Sequence, residues 1–292
     1  MVKSALLHQY VETVEARLEQ LIPSHADEPQ DLHAAMRYSA LAPGKRLRPM
    51  LAMAASQAVS GEWVSAVEIG CALELVHAFS LIHDDLPAID DDDLRRGRPT
   101  CHKVYGEAMA ILAGDALFAL AFRVAATSHS NPATCAKLVE ILAVASGSVG
   151  LVGGEVMDIQ AEGASPSLQR LQTIHARKTG ALIAASCLAG ALVGGASTED
   201  AVHLERFGGA IGLAFQIHDD VLNETSTPER LGKAVGSDRA RRKMTYPSVL
   251  GLLEAISMAQ KASDDALAIL EPFGKHAEML REIAVYSVRR DH

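Results

Sequence analysis

The chain has 292 residues, 49% hydrophobic but only 4% aromatic, so its core must be built from Ala, Leu, Val, Ile and Met, which suit close-packed helices better than sheets. A formal net charge of -9 excludes a general nucleic-acid binder, which needs a basic face against phosphates. Cys71, Cys101, Cys135 and Cys187 stand far apart with no C-x-x-C pair, which excludes a disulfide framework or a zinc ribbon and fits a reducing cytoplasm.

Apolar residues recur at helical spacing almost throughout, and no convincing stretch alternates with period two. The first 21 residues lack an unbroken apolar core and carry Glu12, Glu15 and Glu19, unlike a signal or transit peptide. Breakers divide the chain into helices. Pro23 to Pro29 ends a first helix, Ala42-Pro43-Gly44 ends a second, and Leu47-Arg48-Pro49 opens a third with proline in its first turn. Gly61 separates this from a long helix over about Ser65 to His83, which Pro87 closes into an acidic loop. Later helices are expected over His102 to Thr127, Pro132 to Ala161, Ser167 to Val193, Thr198 to Asn223 and Arg239 to Lys261, with a C-terminal pair. No low-complexity linker splits the chain, so one domain over 1–292 is expected. Thr179 to Thr198 carries no charge and approaches the length of a membrane span. Its Ala, Gly, Ser and Thr content favours a buried helix at the centre of a soluble bundle instead. Small residues in GSVGLVGGE, Gly147 to Glu155, allow either close helix packing or room for an apolar ligand between helices.

The strongest chemical feature is DDLPAIDDDDLRRGRP, in which Asp84, Asp85 and Asp90 to Asp93 precede Arg95, Arg96 and Arg98. A charge run is usually a solvated face. This one comes after LELVHAFSLIH, which carries Asp84 and Asp85 to the end of a buried helix, where clustered carboxylates disfavour ionisation unless cations intervene. Hard oxygen ligands without a full cage suit Mg2+, which often bridges carboxylates to phosphates. Ile-His-Asp-Asp occurs at 82 to 85 and again at 217 to 220. On the second helix Gln216, Asp219 and Asn223 share one face, so two acidic clusters could border one cavity. GKRLRP places Lys45, Arg46 and Arg48 beside a helix start, where backbone N–H groups also favour anions. Lys178, Lys233 and Lys243 each come near the end of an apolar segment. Singly such lysines are more often snorkelling surface residues. Together with the carboxylates they describe a site for two phosphate groups, one held through Mg2+ and one held directly.

These motifs together, GKRLRP, the DDxxxxD of Asp84 to Asp90 followed by DDLRRG, the KTG at Lys178, FQIHDD and LGK, resemble those of trans-prenyl diphosphate synthases, closest to bacterial farnesyl diphosphate synthases. The resemblance implies an all-α bundle around a central apolar cavity, a cytoplasmic homodimer without a membrane span, and three Mg2+ ions per site. It implies that Asp84 and Asp90 bind two ions with Asp85 in support, and that Asp219, with Asp220 beside it, binds a third. It places Arg95, Lys178 and Lys233 on an allylic diphosphate, and Gly44, Lys45, Arg48, His77 and Arg96 on isopentenyl diphosphate. Cations then neutralise the departing diphosphate. Thr179, Gln216 and carbonyl dipoles stabilise the allylic cation, the second substrate's double bond adds to it, and diphosphate takes the final proton.

Product length is set by the helix that ends in Asp84. Phe79 lies five residues earlier, about 7.5 Å along the axis, where its ring can floor the pocket while Ser80 leaves space beside it. This implies a 15-carbon farnesyl product, with geranylgeranyl or geranyl products and a non-catalytic partner subunit as alternatives. Two positions depart from the family's usual pattern: Asn223 replaces a third aspartate and Glu155 replaces a glutamine. The first is expected to weaken the third metal site or alter product release, not to abolish activity, because Asp219 and Asp220 remain. A metal phosphohydrolase with His-Asp pairs would need more histidine ligands than stand here. A terpene cyclase would need a triad that DDVLNETSTPE does not supply in register.

Overall fold

The computed structural model of the protein describes residues 5–225 and 243–288, and within them the chain is all-α apart from one two-residue ladder. Helix α1 (Ala5–Leu21) buries Leu7, Tyr10, Val14 and Leu18, one residue per turn on a single stripe. The Ala42-Pro43-Gly44 break separates α2 (Gln30–Ala40) from α3 (Leu47–Ser60), whose first turn holds Pro49 as the spacing predicts. A 3-10 turn at Val64–Ala66 leads into α4 (Val67–Asp84). Val67 and the unbroken run Ile69 to Val76 are buried in α4, which is the signature of a helix surrounded on all sides. Its neighbours include α3, α6 (Glu107–Ala126) and α10 (Ala181–Val193).

Beyond α4 the acidic loop runs into the hairpin β1 (Leu94–Arg95) and β2 (Arg98–Pro99), paired Leu94 to Pro99 and Arg95 to Arg98. A ladder this short has no alternation to read. The helix expected over 102 to 127 is divided at Gly106, whose φ of 84° ends α5 (Cys101–Tyr105) before α6 begins. The one expected over 132 to 161 is likewise divided at 147–150 into α7 (Pro132–Ser146) and α8 (Leu151–Ile159). Helices α9 (Leu168–His175) and α10 join through a π-helical turn at Ala176–Gly180. The long α11 (Thr198–Thr225) comes next. After the undescribed segment, Thr245 caps α12 (Tyr246–Leu250) by accepting from Ser248 N, and Gly251 divides it from α13 (Leu252–Ile269). A 3-10 stretch, Glu271–Ala277, precedes α14 (Glu278–Val288).

One contiguous apolar cluster runs from Leu7 to Ala284, and all four cysteines are buried and free. Four helical stretches are long and apolar enough to cross a membrane. Two of them, Val64–Asp84 and Leu168–Val193, lie 72% and 61% buried within the bundle, whereas Glu107–Ala126 and Pro132–Ile159 are only 44% and 39% buried. Apolar surface on α6, α7 and α8 is therefore left uncovered in a single copy.

Candidate active site

Helix α4 delivers the first carboxylates. Its last turn ends at Asp84, and the loop then folds back: Asp90 N donates to Asp84 O at 2.8 Å and Asp91 N to Leu86 O at 3.0 Å. These bonds set Asp90 against the helix end. Burial, and then the Glu155 carboxylate, push the Asp84 carboxyl up to about 7, against the pull of Lys178 and Arg95. Asp85, 3% exposed, takes both Nε and Nη2 of Arg95 on its Oδ1, at 2.6 and 2.5 Å. It therefore positions that guanidinium beside the cluster, the supporting part expected of it.

Facing Asp84 are α8 and the π turn. Lys178 Nζ lies 2.7 Å from Glu155 Oε2 and 2.7 Å from Asp158 Oδ2. Burial alone would push this ammonium's pKa down, but Asp158, Glu155 and Asp84 outweigh it and hold the charge firmly in place. The close approach depends on Gly154, because a Cβ there would stand 2.2 Å from Lys178 N and 2.6 Å from its Cα. Lys243 extends the row, 2.8 Å from Asp90 Oδ1 and 3.9 Å from Asp158 Oδ2. Charges therefore alternate from Glu155 through Lys178, Asp158 and Lys243 to Asp90.

The π turn also links the second acidic motif. Thr179 Oγ1 donates to Gln216 Oε1 at 2.7 Å, and Gln216 Nε2 donates to Asp220 Oδ1 at 3.0 Å. Asp220 Oδ2 accepts Tyr246 N at 2.9 Å. Both oxygens of Asp220 thus face protein donors and tie α11 to α12. Asp219 and Asn223 occupy the same face of α11 as Gln216, Asp219 half-buried and Asn223 buried. Lys233 lies outside the described residues.

Two turns before Asp84 on α4, a cluster of another kind surrounds His77. Burial, then Arg48, Arg96, Arg95 and Arg46, push this imidazole well below its ordinary pKa, so it is neutral. Burial also lowers Arg48 to about 10, with Glu74 opposing and Arg96 adding to the shift, and its buried Nε has no hydrogen-bond partner. Arg96 donates to Pro43 O at 2.8 Å and lies over Gly44, where a Cβ would meet its Nη1 at 2.4 Å. Arg46 serves the fold instead: it pairs with Glu74 at 3.0 Å and donates to Ala40 O and Ala42 O. Lys45 is exposed. Mutually destabilised cations of this sort are what an anion relieves.

Between His77 and Asp84 on α4, Phe79 packs its ring 4.7 Å from that of Phe118 and 4.8 Å from that of His83, and Phe118 packs 5.0 Å from Phe122. Ser80, 6% exposed, donates to His77 O at 3.0 Å. His83 Nε2 lies 3.1 Å from Ile111 O and 4.0 Å from Asp115 Oδ1, turned toward α6. Asp91, Asp93 and His102 also bring three donor atoms within 4.8 Å of one another, although Asp93 pairs with Lys103 at 2.7 Å and His102 Nδ1 lies 3.1 Å from Thr100 Oγ1.

Asp84 and Asp90, drawn together by the Asp90 N to Asp84 O bond, offer only hard oxygen donors, as does Asp219 on α11, and such donors fit Mg2+. Lys178 and Lys243 already lie where positive charge is needed between carboxylates. Sequence reasoning named the acidic motifs, Lys178, Thr179, Gln216 and the arginines, and the structure gathers these around α4 and the π turn. It missed Asp158 and gave Lys243 no partner; the signal for Lys243 was its place near the end of an apolar segment.

Residues 29–283 match the polyprenyl synthetase family model. The geranylgeranyl pyrophosphate synthase of Capsicum annuum chloroplasts is 46% identical over 269 residues, 91% of this chain and 73% of that protein. A crystal structure of an FPP/GFPP synthase from Zymomonas mobilis superposes with a TM-score of 0.86 at 39% identity, covering 97% of each chain. A geranyltransferase from Helicobacter pylori, complexed with magnesium and isoprenyl diphosphate, gives 0.87 at 30% identity, covering 99% of this chain and 98% of that one.

Proposed function

The chain belongs to the polyprenyl synthetase family, a family of Mg2+-dependent prenyl transferases, and from that premise we propose that it condenses dimethylallyl or geranyl diphosphate with isopentenyl diphosphate. The observation that carries this reading is the presence of two unlike anion sites on one helix. His77 sits among arginines, and Asp84, seven residues on, sits among carboxylates and lysines. Seven residues are two turns, about 10.5 Å, so two diphosphates can lie side by side, one held directly and the other through metal.

Asp84, Asp90 and Asp219 would hold Mg2+, three ions in all, and the ions supply charge neutralisation of the leaving diphosphate. Arg95, positioned by Asp85, Lys178 and Lys233 take the same oxygens. Lys45, Arg48, His77 and Arg96 anchor the second diphosphate, and neutral His77 contributes a hydrogen bond and not a proton. As the allylic C–O bond breaks, the Thr179 and Gln216 dipoles face the carbocation without attacking it. The double bond of isopentenyl diphosphate then forms the new C–C bond, and the released diphosphate takes the proton. The exposed Ile111 and Leu112 of α6 and Val152, Val156 and Ile159 of α8 support a homodimer closing over that face.

Two product lengths have separate support. The name of the Capsicum relative favours a 20-carbon geranylgeranyl product over the 15-carbon product expected from the sequence. The Phe79–Phe118 contact favours 15 carbons, because two tilted rings in contact beside α4 would close the space along which the chain grows. Incubation with dimethylallyl or geranyl diphosphate, labelled isopentenyl diphosphate and Mg2+, with chromatography of the products, tests the reaction and separates the lengths. Absence of any prenyl product would overturn the reading, and cyclic hydrocarbons would replace it with a cyclase.

A further inference from the structure

The row Glu155, Lys178, Asp158, Lys243, Asp90 begins and ends with a carboxylate. Its contacts are 2.7, 2.7, 3.9 and 2.8 Å, and the four side chains besides Lys178 are only 10 to 15% exposed. Within it Lys178 lies between two carboxylates, Glu155 and Asp158. Lys178, the cation that should meet an allylic diphosphate, is thus compensated twice over. A lysine in that position does not attract an anion.

Glu155 is the member that tips this balance. Asp158 is shared between two lysines and Asp90 lies beside the end of α4, whereas Glu155 contacts Lys178 alone in the row. Its second oxygen, Oε1, is buried with no hydrogen-bond partner. Burying an unsatisfied carboxylate oxygen is costly, and the fold gains nothing visible from it. An incoming cation, or a water carried on one, would satisfy it. Glu155 is also, after burial, the largest influence holding the nearby Asp84 in its neutral form, which places its charge on the metal side of the site.

We propose that Glu155 is a positioning residue that makes admission of the allylic diphosphate conditional on prior loading of divalent cations. In the metal-free site it neutralises Lys178 and repels diphosphate. Once cations are present its charge is offset, and Lys178 turns its ammonium to the substrate. The inference rests on the proposed prenyl transfer only for the identity of the anion, and inorganic diphosphate serves as the probe.

Calorimetric titration of the purified protein with inorganic diphosphate, in chelator and in excess Mg2+, tests it together with titration of Mg2+ alone. Glu155→Gln should bind diphosphate in chelator on the order of tenfold more tightly than the native protein, the size of one charge acting across a partly buried site. It should bind Mg2+ alone more weakly by a similar factor, and it should need more Mg2+ for half-maximal turnover. Glu155→Asp keeps the charge and should behave as the native protein does, which a purely packing role would not produce. Equal metal-free diphosphate affinity in the native protein and Glu155→Gln would overturn the proposal. If Glu155→Gln fails to fold, metal-free diphosphate binding by native protein as tight as in Mg2+ overturns it equally. Failure of the native protein to make a prenyl product would strike the proposed reaction and leave these affinities as they are.

Discussion

Lys243 Nζ lies 2.8 Å from Asp90 Oδ1, joining the acidic loop after α4 to the segment leading into α12, 153 residues further along the chain. The two side chains are 12% and 15% exposed. In Lys243→Met the buried carboxylate loses this ammonium, and stability in chelator should fall by about 2–4 kcal/mol. Saturating Mg2+ should restore most of that loss, since the cation takes over the missing charge. Urea unfolding with and without Mg2+ measures both. An equal loss in the two conditions would show that ammonium and metal do not share the carboxylate.

Gly154, packed on the π turn, and Gly209, exposed on α11, stand in contrast. A Cβ at Gly154 would meet Lys178 N at 2.2 Å and Arg177 C at 2.8 Å, backbone atoms that cannot rotate away, while a Cβ at Gly209 meets nothing within 4 Å. Gly154→Ala should therefore destabilise by about 1–3 kcal/mol or more and displace Lys178. Gly209→Ala, on an exposed face of α11, should stabilise by roughly 0.5–1 kcal/mol. Thermal unfolding of the two variants checks the contrast, which vanishes if α8 can move back freely from the turn.

The acidic loop and the GKRLRP stretch were legible because dense charge stood directly beside apolar helical pattern, where a solvated face was the poorer account. The breaks at Gly106 and at 147–150 were not legible. A glycine inside a helix costs only about 1 kcal/mol, so it marks a break only when its φ is known. The π turn keeps the apolar spacing of the helices around it and leaves no trace in the pattern. The partners of Lys178 and Lys243 lie 20 and 153 residues away, distances that helical periodicity does not relate. The partners of Asp85 and Asp220, Arg95 and Tyr246 N, were hidden for a similar reason, lying 10 and 26 residues away.

Asp84 gives the site a pH dependence of definite sign. Its carboxyl is raised by burial and by Glu155 to about 7, above its value in the unfolded chain. The metal-free protein therefore holds the associated stability at acid pH and loses it as pH rises towards 7. Mg2+ competes with the proton for the same oxygens. The rise in melting temperature produced by Mg2+ should accordingly be small at pH 5.5, grow through pH 7 and level off near pH 8. Asp84→Asn should flatten that profile and abolish condensation while keeping the helical signal. A Mg2+ effect independent of pH in the native protein would place the cations away from Asp84.

The aromatic stack carries the last test, because it makes two residues on different helices act as one wall. Phe79 on α4 and Phe118 on α6 meet at 4.7 Å between ring centroids, with Phe122 5.0 Å beyond Phe118. Removing either ring opens the same space, so Phe79→Ala and Phe118→Ala should lengthen the product in the same direction, by one isoprene unit or more. Ring loss at the half-buried Phe79 should also lower stability by about 2–3 kcal/mol, less than a fully buried phenylalanine costs. The double variant should lengthen the product little beyond either single one, since the wall is already breached. Chromatography of products from geranyl diphosphate and labelled isopentenyl diphosphate reads the lengths. If Phe79→Ala alone altered chain length, the wall would be that single ring. If neither did, the growing chain would run along another face of α4, and the 20-carbon reading would stand without a floor at Phe79.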